Sequence, residues 1–88
     1  MPVLSAFYGL IVRMYRESAG KHSKPHIHVK YAEFSVILTF DGEVLEGSLP
    51  PSKMKLILAW IELHRDELEM NWELISEGHA IFKIDPLR

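Results

Sequence analysis

The chain of 88 residues contains no cysteine. Disulfide frameworks, thiolate metal sites and cysteine nucleophiles are therefore excluded, and a reducing compartment, the cytoplasm, is the expected location. No Gly-rich phosphate loop, Gly-x-Ser-x-Gly elbow or paired-cysteine motif occurs, so no cofactor is expected from sequence. Long apolar runs are also missing. The stretch from Val3 to Val12 is interrupted by Ser5, Tyr8 and Gly9 and stops at Arg13, too short for a bilayer and poorly formed as a signal peptide. Low-complexity tracts, linkers and internal repeats are absent, which leaves one domain over residues 1–88 as the expectation.

What is present is ordinary for a folded protein. Hydrophobic residues make up 48% and charged residues 25%, far from the signature of disorder. At this length folding buries only roughly 60% of the surface of the unfolded chain, so the core is thin. The formal net charge of −2 argues against a generic nucleic-acid binder. The sign is divided along the chain, however. Residues 1–40 carry five basic and two acidic side chains, a balance of +3, and residues 41–88 carry five and ten, a balance of −5. Such polarity can orient a partner or an RNA strand on the N-terminal part, and it is also what an acidic helix surface produces.

The local pattern predicts an α+β fold: an antiparallel β-meander of three to four strands over residues 1–49, two helices over 50–78 packed on one face, and a short C-terminal strand or tail over 79–88. Tyr8 to Tyr15 is apolar, β-branched and aromatic, and reads as the first strand. Arg16 to Pro25 is polar and reads as a mobile connection. His26 to Tyr31 and Phe34 to Phe40 are strand-like runs separated by Ala32 and Glu33, a tight hairpin even though neither turn residue takes positive φ easily. Asp41-Gly42 is a stronger two-residue turn, returning as a fourth strand over Glu43 to Glu46. Pro50 and Pro51 end the sheet and suit a helix start. Met54, Ile57, Leu58 and Ile61, with Leu56, Trp60 and Leu63 beside them, form a wide apolar arc that implies extensive burial. The arc lapses at His64-Arg65-Asp66, where a break is expected, and Asp66 with Glu69 resembles a capping box. Leu68, Trp72 and Ile75 continue an apolar face to Gly78, well placed as a C-terminal cap. Ile81 to Ile84 fits a short edge strand or an ordered tail.

Pairing through Ala32-Glu33 sets Tyr31 against Phe34, Val29 against Val36 and Ile27 against Leu38, all on the core face, because directly opposed residues point the same way. His26, His28 and Lys30 then share the other face, opposite Thr39, Ile37 and Ser35. Pairing through Asp41-Gly42 sets Glu46 opposite Ile37, in the row of His28 and, two strands away, roughly 10 Å from it at the backbone. A first strand that buries Leu10, Val12 and Met14 sends Arg13 and Tyr15 to the same outer face. The resulting patch is Arg13, Tyr15, His26, His28, Lys30 and Glu46. Histidine exchanges protons near neutral pH, Arg and Lys stabilise oxyanions, and Tyr stacks or donates. His26, His28 and Arg13 are thus candidate catalytic groups for RNA cleavage, with Tyr15, Lys30 and Glu46 as candidate binding groups. His26 and His28 also have the spacing for two metal ligands from one strand. A complete site needs a third, for which His22, Glu33 and Glu46 are candidates at no recognisable spacing. His22, His64 and His79 read as a loop residue, a helix-junction residue and a residue after a cap. Trp60 and Trp72 read as core or interface anchors.

Several segments in order carry a resemblance: Phe7-Tyr8-Gly9, Arg13-Met14-Tyr15, Pro25-His26-Ile27-His28-Val29, Gly42 through Pro50, Trp60 through His64, Asn71-Trp72-Glu73-Leu74 and Ile84-Asp85-Pro86-Leu87. Together they resemble the bacterial family known as domain of unknown function 4160. In this chain Ile27 stands where that family usually has an aromatic residue, and Ala32-Glu33 stand where a glycine-containing turn is common. Members are small bacterial proteins often encoded beside another small protein, in an arrangement resembling a toxin–antitoxin module. The resemblance therefore implies a cognate partner protein encoded nearby. The open alternatives are a histidine-dependent ribonuclease toxin and a metal-binding protein, with RNA or a second copy of the chain as other partners.

Overall fold

The computed structural model describes residues 3–15 and 24–88. Five strands and two helices follow one another as β1 (Val3–Phe7), β2 (Leu10–Arg13), β3 (His26–Tyr31), β4 (Phe34–Thr39), β5 (Val44–Ser48), α1 (Pro51–Leu63) and α2 (Arg65–Ser76). The strands form one antiparallel sheet in sequence order, a five-stranded meander with β1 and β5 at its edges. The expected connection from Arg16 to Pro25 lies largely outside the described residues.

The strand count corrects the sequence reading. Tyr8 and Gly9, read there as the opening of one long strand, are the turn of an additional hairpin, with φ of 49° and 83°. Two consecutive positive φ values give the turn whose twist suits a tight hairpin. The first of them falls on a tyrosine, which is why composition alone conceals it. A Cβ on Gly9 would sit 2.9 Å from the Tyr31 ring, so the turn is closed by packing as well as by φ. Upstream, Val3 pairs with Arg13 and Ser5 with Val12, leaving Leu4 as a bulge residue. The Leu4 carbonyl instead accepts the Ile84 N–H at 2.8 Å. The C-terminal segment is consequently an ordered tail tied to β1 rather than a strand.

The central hairpin has the expected register, Tyr31 against Phe34 through His26 against Thr39. Ala32 supplies the positive φ, at 50°, that its turn requires. The next hairpin is less regular. Gly42 N–H donates to the Thr39 carbonyl and Thr39 N–H to the Glu43 carbonyl, so the loop spans three residues with Gly42 at φ 87°. That shifts the pairing by one, Leu38 against Val44, and a bulge at Leu45 shifts it back, Ile37 against Glu46. The two irregularities cancel. Glu46 therefore lands in the predicted row although the predicted two-residue turn does not form.

Pro50 occupies the N-cap position of α1, and its carbonyl accepts the first helical bond from Met54 at 2.9 Å. Lys53 ties this end to the first hairpin, donating to the Tyr8 carbonyl at 2.9 Å and lying 4.8 Å from the centre of the Tyr31 ring. The helices part at His64, whose N–H closes α1 onto Trp60 and whose carbonyl opens α2 to Leu68. The expected capping box at Asp66 and Glu69 does not form: His64 is the N-cap and makes no side-chain bond to the helix backbone, and its Nδ1–H donates instead to the Glu67 carboxylate at 2.6 Å. At the other end, Gly78 N–H donates to Ile75 and His79 N–H to Leu74, the paired bonds of a helix stopped by a left-handed residue, here Gly78 at φ 83°.

The core lies between the inner sheet face and the helices. Leu10, Val12, Met14, Ile27, Val29, Val36 and Leu38 meet Ile57, Trp60, Ile61, Leu68 and Ile75. The apolar arc of α1 is narrower than its sequence implies, since Leu58 and Leu63 are exposed. The tail closes the far side. Trp60 Nε1 donates to the Asp85 carbonyl at 2.8 Å, and fully buried Asn71 both donates to and accepts from the Phe82 backbone, at 3.1 and 2.8 Å.

Candidate functional site

With the helices on one face, the opposite face of the sheet has no second layer among the described residues. Its residues follow from strand alternation. Arg13 of β2 faces His28 of β3, His28 faces Ile37 of β4, and Ile37 faces Glu46 of β5, a single row across four strands. The next row runs Ile11, Lys30, Ser35, Ser48. Tyr15, beyond the end of β2, sets its ring edge-on to the His28 imidazole with centroids 4.5 Å apart. Arg13, Tyr15, His28, Lys30, Ile37 and Glu46 all line one shallow groove of about 340 Å³. Five of the six residues expected on this face are thus brought together.

The sixth is not. His26 shares the parity of His28 but is only 1% exposed. It opens β3 at the end of the sheet, where its ring lies between those of His28 and Trp72, at centroid distances of 5.3 and 5.2 Å. Its Nδ1 is 2.7 Å from the Lys24 carbonyl. A carbonyl only accepts, so Nδ1 carries the proton of this bond. The expectation that both histidines open onto one surface is corrected on this point: parity sets the direction of a side chain, while Trp72 of α2 decides whether solvent reaches it.

Within the groove, Arg13 is half-buried and its Nε is fully buried with no hydrogen-bond partner among the described residues. Lys30 and Ser35 are exposed and flank it from the adjacent row. Among the described residues no group of three or more His, Asp or Glu side chains could hold a metal ion. Of the third ligands considered, Glu46 stands two strands from His28, Glu33 lies in the β3–β4 turn, and His22 is outside the described residues.

A second cleft, of about 630 Å³, lies where β3 begins and β4 ends beside α2, with Phe40, Trp72 and Pro25 among its lining residues. Phe40 meets the Trp72 ring at 90°, with centroids 6.2 Å apart. The cleft is also lined by Arg65, which contacts Asp41 at 2.7 Å and Glu69 at 3.1 Å. Hydrogen bonds to Glu69 and then to Asp41 hold the Arg65 guanidinium above its ordinary pKa. Sequence reading missed this cleft, because it is assembled from a loop and a helix that no single motif joins. Trp72, taken as an anchor, was its one visible sign.

No helix among the described residues is long and apolar enough to cross a membrane. Among curated proteins and among solved structures, nothing matches the chain. A family model does: domain of unknown function (DUF4160) matches residues 9–73, from the first turn into α2 and including every residue that lines the outer groove. The order of segments that pointed to this family and the match over most of the chain agree, and the chain belongs to the domain of unknown function (DUF4160) family.

Proposed function

We propose that this protein is an interaction component, a small domain that binds a cognate protein encoded nearby in a two-gene, toxin–antitoxin-like module, and that the outer sheet face is where the partner docks. One observation carries the reading. Among the described residues no second layer covers the face opposite the helices, and there both signs of charge, from Arg13, Lys30 and Glu46, line one groove with half-buried Ile37 and the Tyr15 ring. Aromatic and arginine side chains set in a patch with a polar rim are the features that anchor protein–protein contacts.

The ribonuclease reading draws less support. A general base and a general acid must each reach the scissile phosphodiester, and His26 is closed in by Trp72 while His28 lines the groove. The metal-binding reading rests on the same pair. The test is co-expression with the neighbouring gene product followed by size-exclusion chromatography. Co-elution at micromolar concentration is expected, and independent elution of the two chains contradicts the reading.

A further inference from the structure

The groove holds an unresolved polar group. A guanidinium has donors and no acceptor, and among the described residues the buried Nε–H of Arg13 meets no acceptor. Leaving a charged donor unpaired away from water costs more than an ordinary hydrogen bond returns. Lys30, exposed, stands one strand over and two residues along, a diagonal of roughly 7–8 Å at the backbone that both long side chains can span. Ser35, directly opposite Lys30, adds a hydroxyl donor.

Resting on the partner reading above, we infer that this part of the groove is an oxyanion socket that receives an acidic side chain of the partner protein. Arg13 is its anchor and Lys30 its second cation. A carboxylate that meets a guanidinium side-on accepts from Nε and one terminal nitrogen together, so the half-buried Arg13 side chain turns outward on binding to bring its unpaired Nε–H to the partner. A carboxylate fits better than a phosphate chain for two reasons. The protein is net acidic, at −2, whereas nucleic-acid binding draws on several cations along a track. Glu46 also lines the same groove, in the row of Arg13, so a strand of phosphates laid across the sheet meets a like charge. A single carboxylate seats between Arg13 and Lys30.

The Nε–H of Arg13 is itself observable by nitrogen-15 NMR on the full-length labelled chain. The probes are a capped triglutamate peptide, inorganic phosphate and single-stranded oligouridylate. The peptide is expected to shift the Arg13 Nε–H resonance, and Lys30→Glu, an exposed position that keeps the fold, to weaken the peptide by about tenfold or more. Arg13→Gln is expected to abolish the shifts that the peptide induces at His28 and Lys30. An unmoved Arg13 signal, binding unchanged in Lys30→Glu, or tighter binding of oligouridylate or phosphate than of peptide overturns the socket. Chromatography separates this from the partner reading. If the wild-type chain co-elutes with its neighbour and Lys30→Glu and Arg13→Gln do so equally well, the socket fails while the pairing stands. If the wild-type chains elute apart although the peptide engages Arg13, the pairing fails while the socket stands.

Discussion

Replacing Gly47 with alanine tests how the sheet holds its outer row. Gly47 sits at φ 83° on edge strand β5, and a Cβ there would fall 2.2 Å from the Ser35 carbonyl oxygen and 3.1 Å from Val36 Cα. Both contacts are backbone, so neither can rotate away. The left-handed conformation alone costs an alanine about 1–2 kcal/mol. The remaining penalty has a ceiling, because β5 is largely exposed and can leave β4 instead of bearing the clash. Losing two or three ladder hydrogen bonds, at about 0.5–1.5 kcal/mol each, brings the total to roughly 2–6 kcal/mol. For a domain of this size that lowers the melting temperature by roughly 10 °C or more. Circular-dichroism melts and urea titration measure it, and amide exchange should show β5 amides deprotected while the β2–β3 ladder is retained. A loss below about 0.5 kcal/mol with unchanged β5 protection would refute the close approach of β5 to β4.

Asn71→Ala removes both bonds to the Phe82 backbone from a fully buried site and is expected to cost about 2–3 kcal/mol, read by urea denaturation, with faster exchange in residues 79–88. Ala32→Gly, which relieves a residue held at φ 50°, is expected to raise stability by about 0.5–1 kcal/mol in the same assay; a loss of stability argues against the turn geometry. His26→Ala is expected to destabilise by about 2–4 kcal/mol through loss of packing on Trp72, and His28→Ala by less than about 1 kcal/mol, because one ring is buried and the other lines the groove. Equal losses in the two variants would contradict the distinction drawn between them.

The architecture was legible in the sequence where period and punctuation agreed. Alternation over His26–Tyr31 and Phe34–Thr39 gave the central register and the outer row, and Gly78 marked the end of α2. The first hairpin was hidden because its turn places positive φ on Tyr8, a residue whose chemistry suggests a strand. Glu46 reached its expected partner through two compensating irregularities, a three-residue loop and the Leu45 bulge, neither of which periodicity exposes. Burial of His26 depends on Trp72, forty-six residues away in sequence and brought near only by the packing of α2. The 630 Å³ cleft depends on that same packing. Local pattern thus gave the directions of side chains within the sheet, while exposure depended on tertiary contacts that no local window contains.

The central claim is that a partner protein binds the outer sheet face and not the helical surface. It is tested most directly by titrating the neighbouring gene product into the wild-type chain, Ser35→Arg and Met70→Arg by isothermal calorimetry. Ser35 is exposed and lines the groove, and Met70 is exposed on α2, so both substitutions spare the core. The account predicts that Ser35→Arg weakens binding at least about tenfold, or about 1.4 kcal/mol, and that Met70→Arg leaves it unchanged. Loss of binding in Met70→Arg with full binding in Ser35→Arg would contradict it.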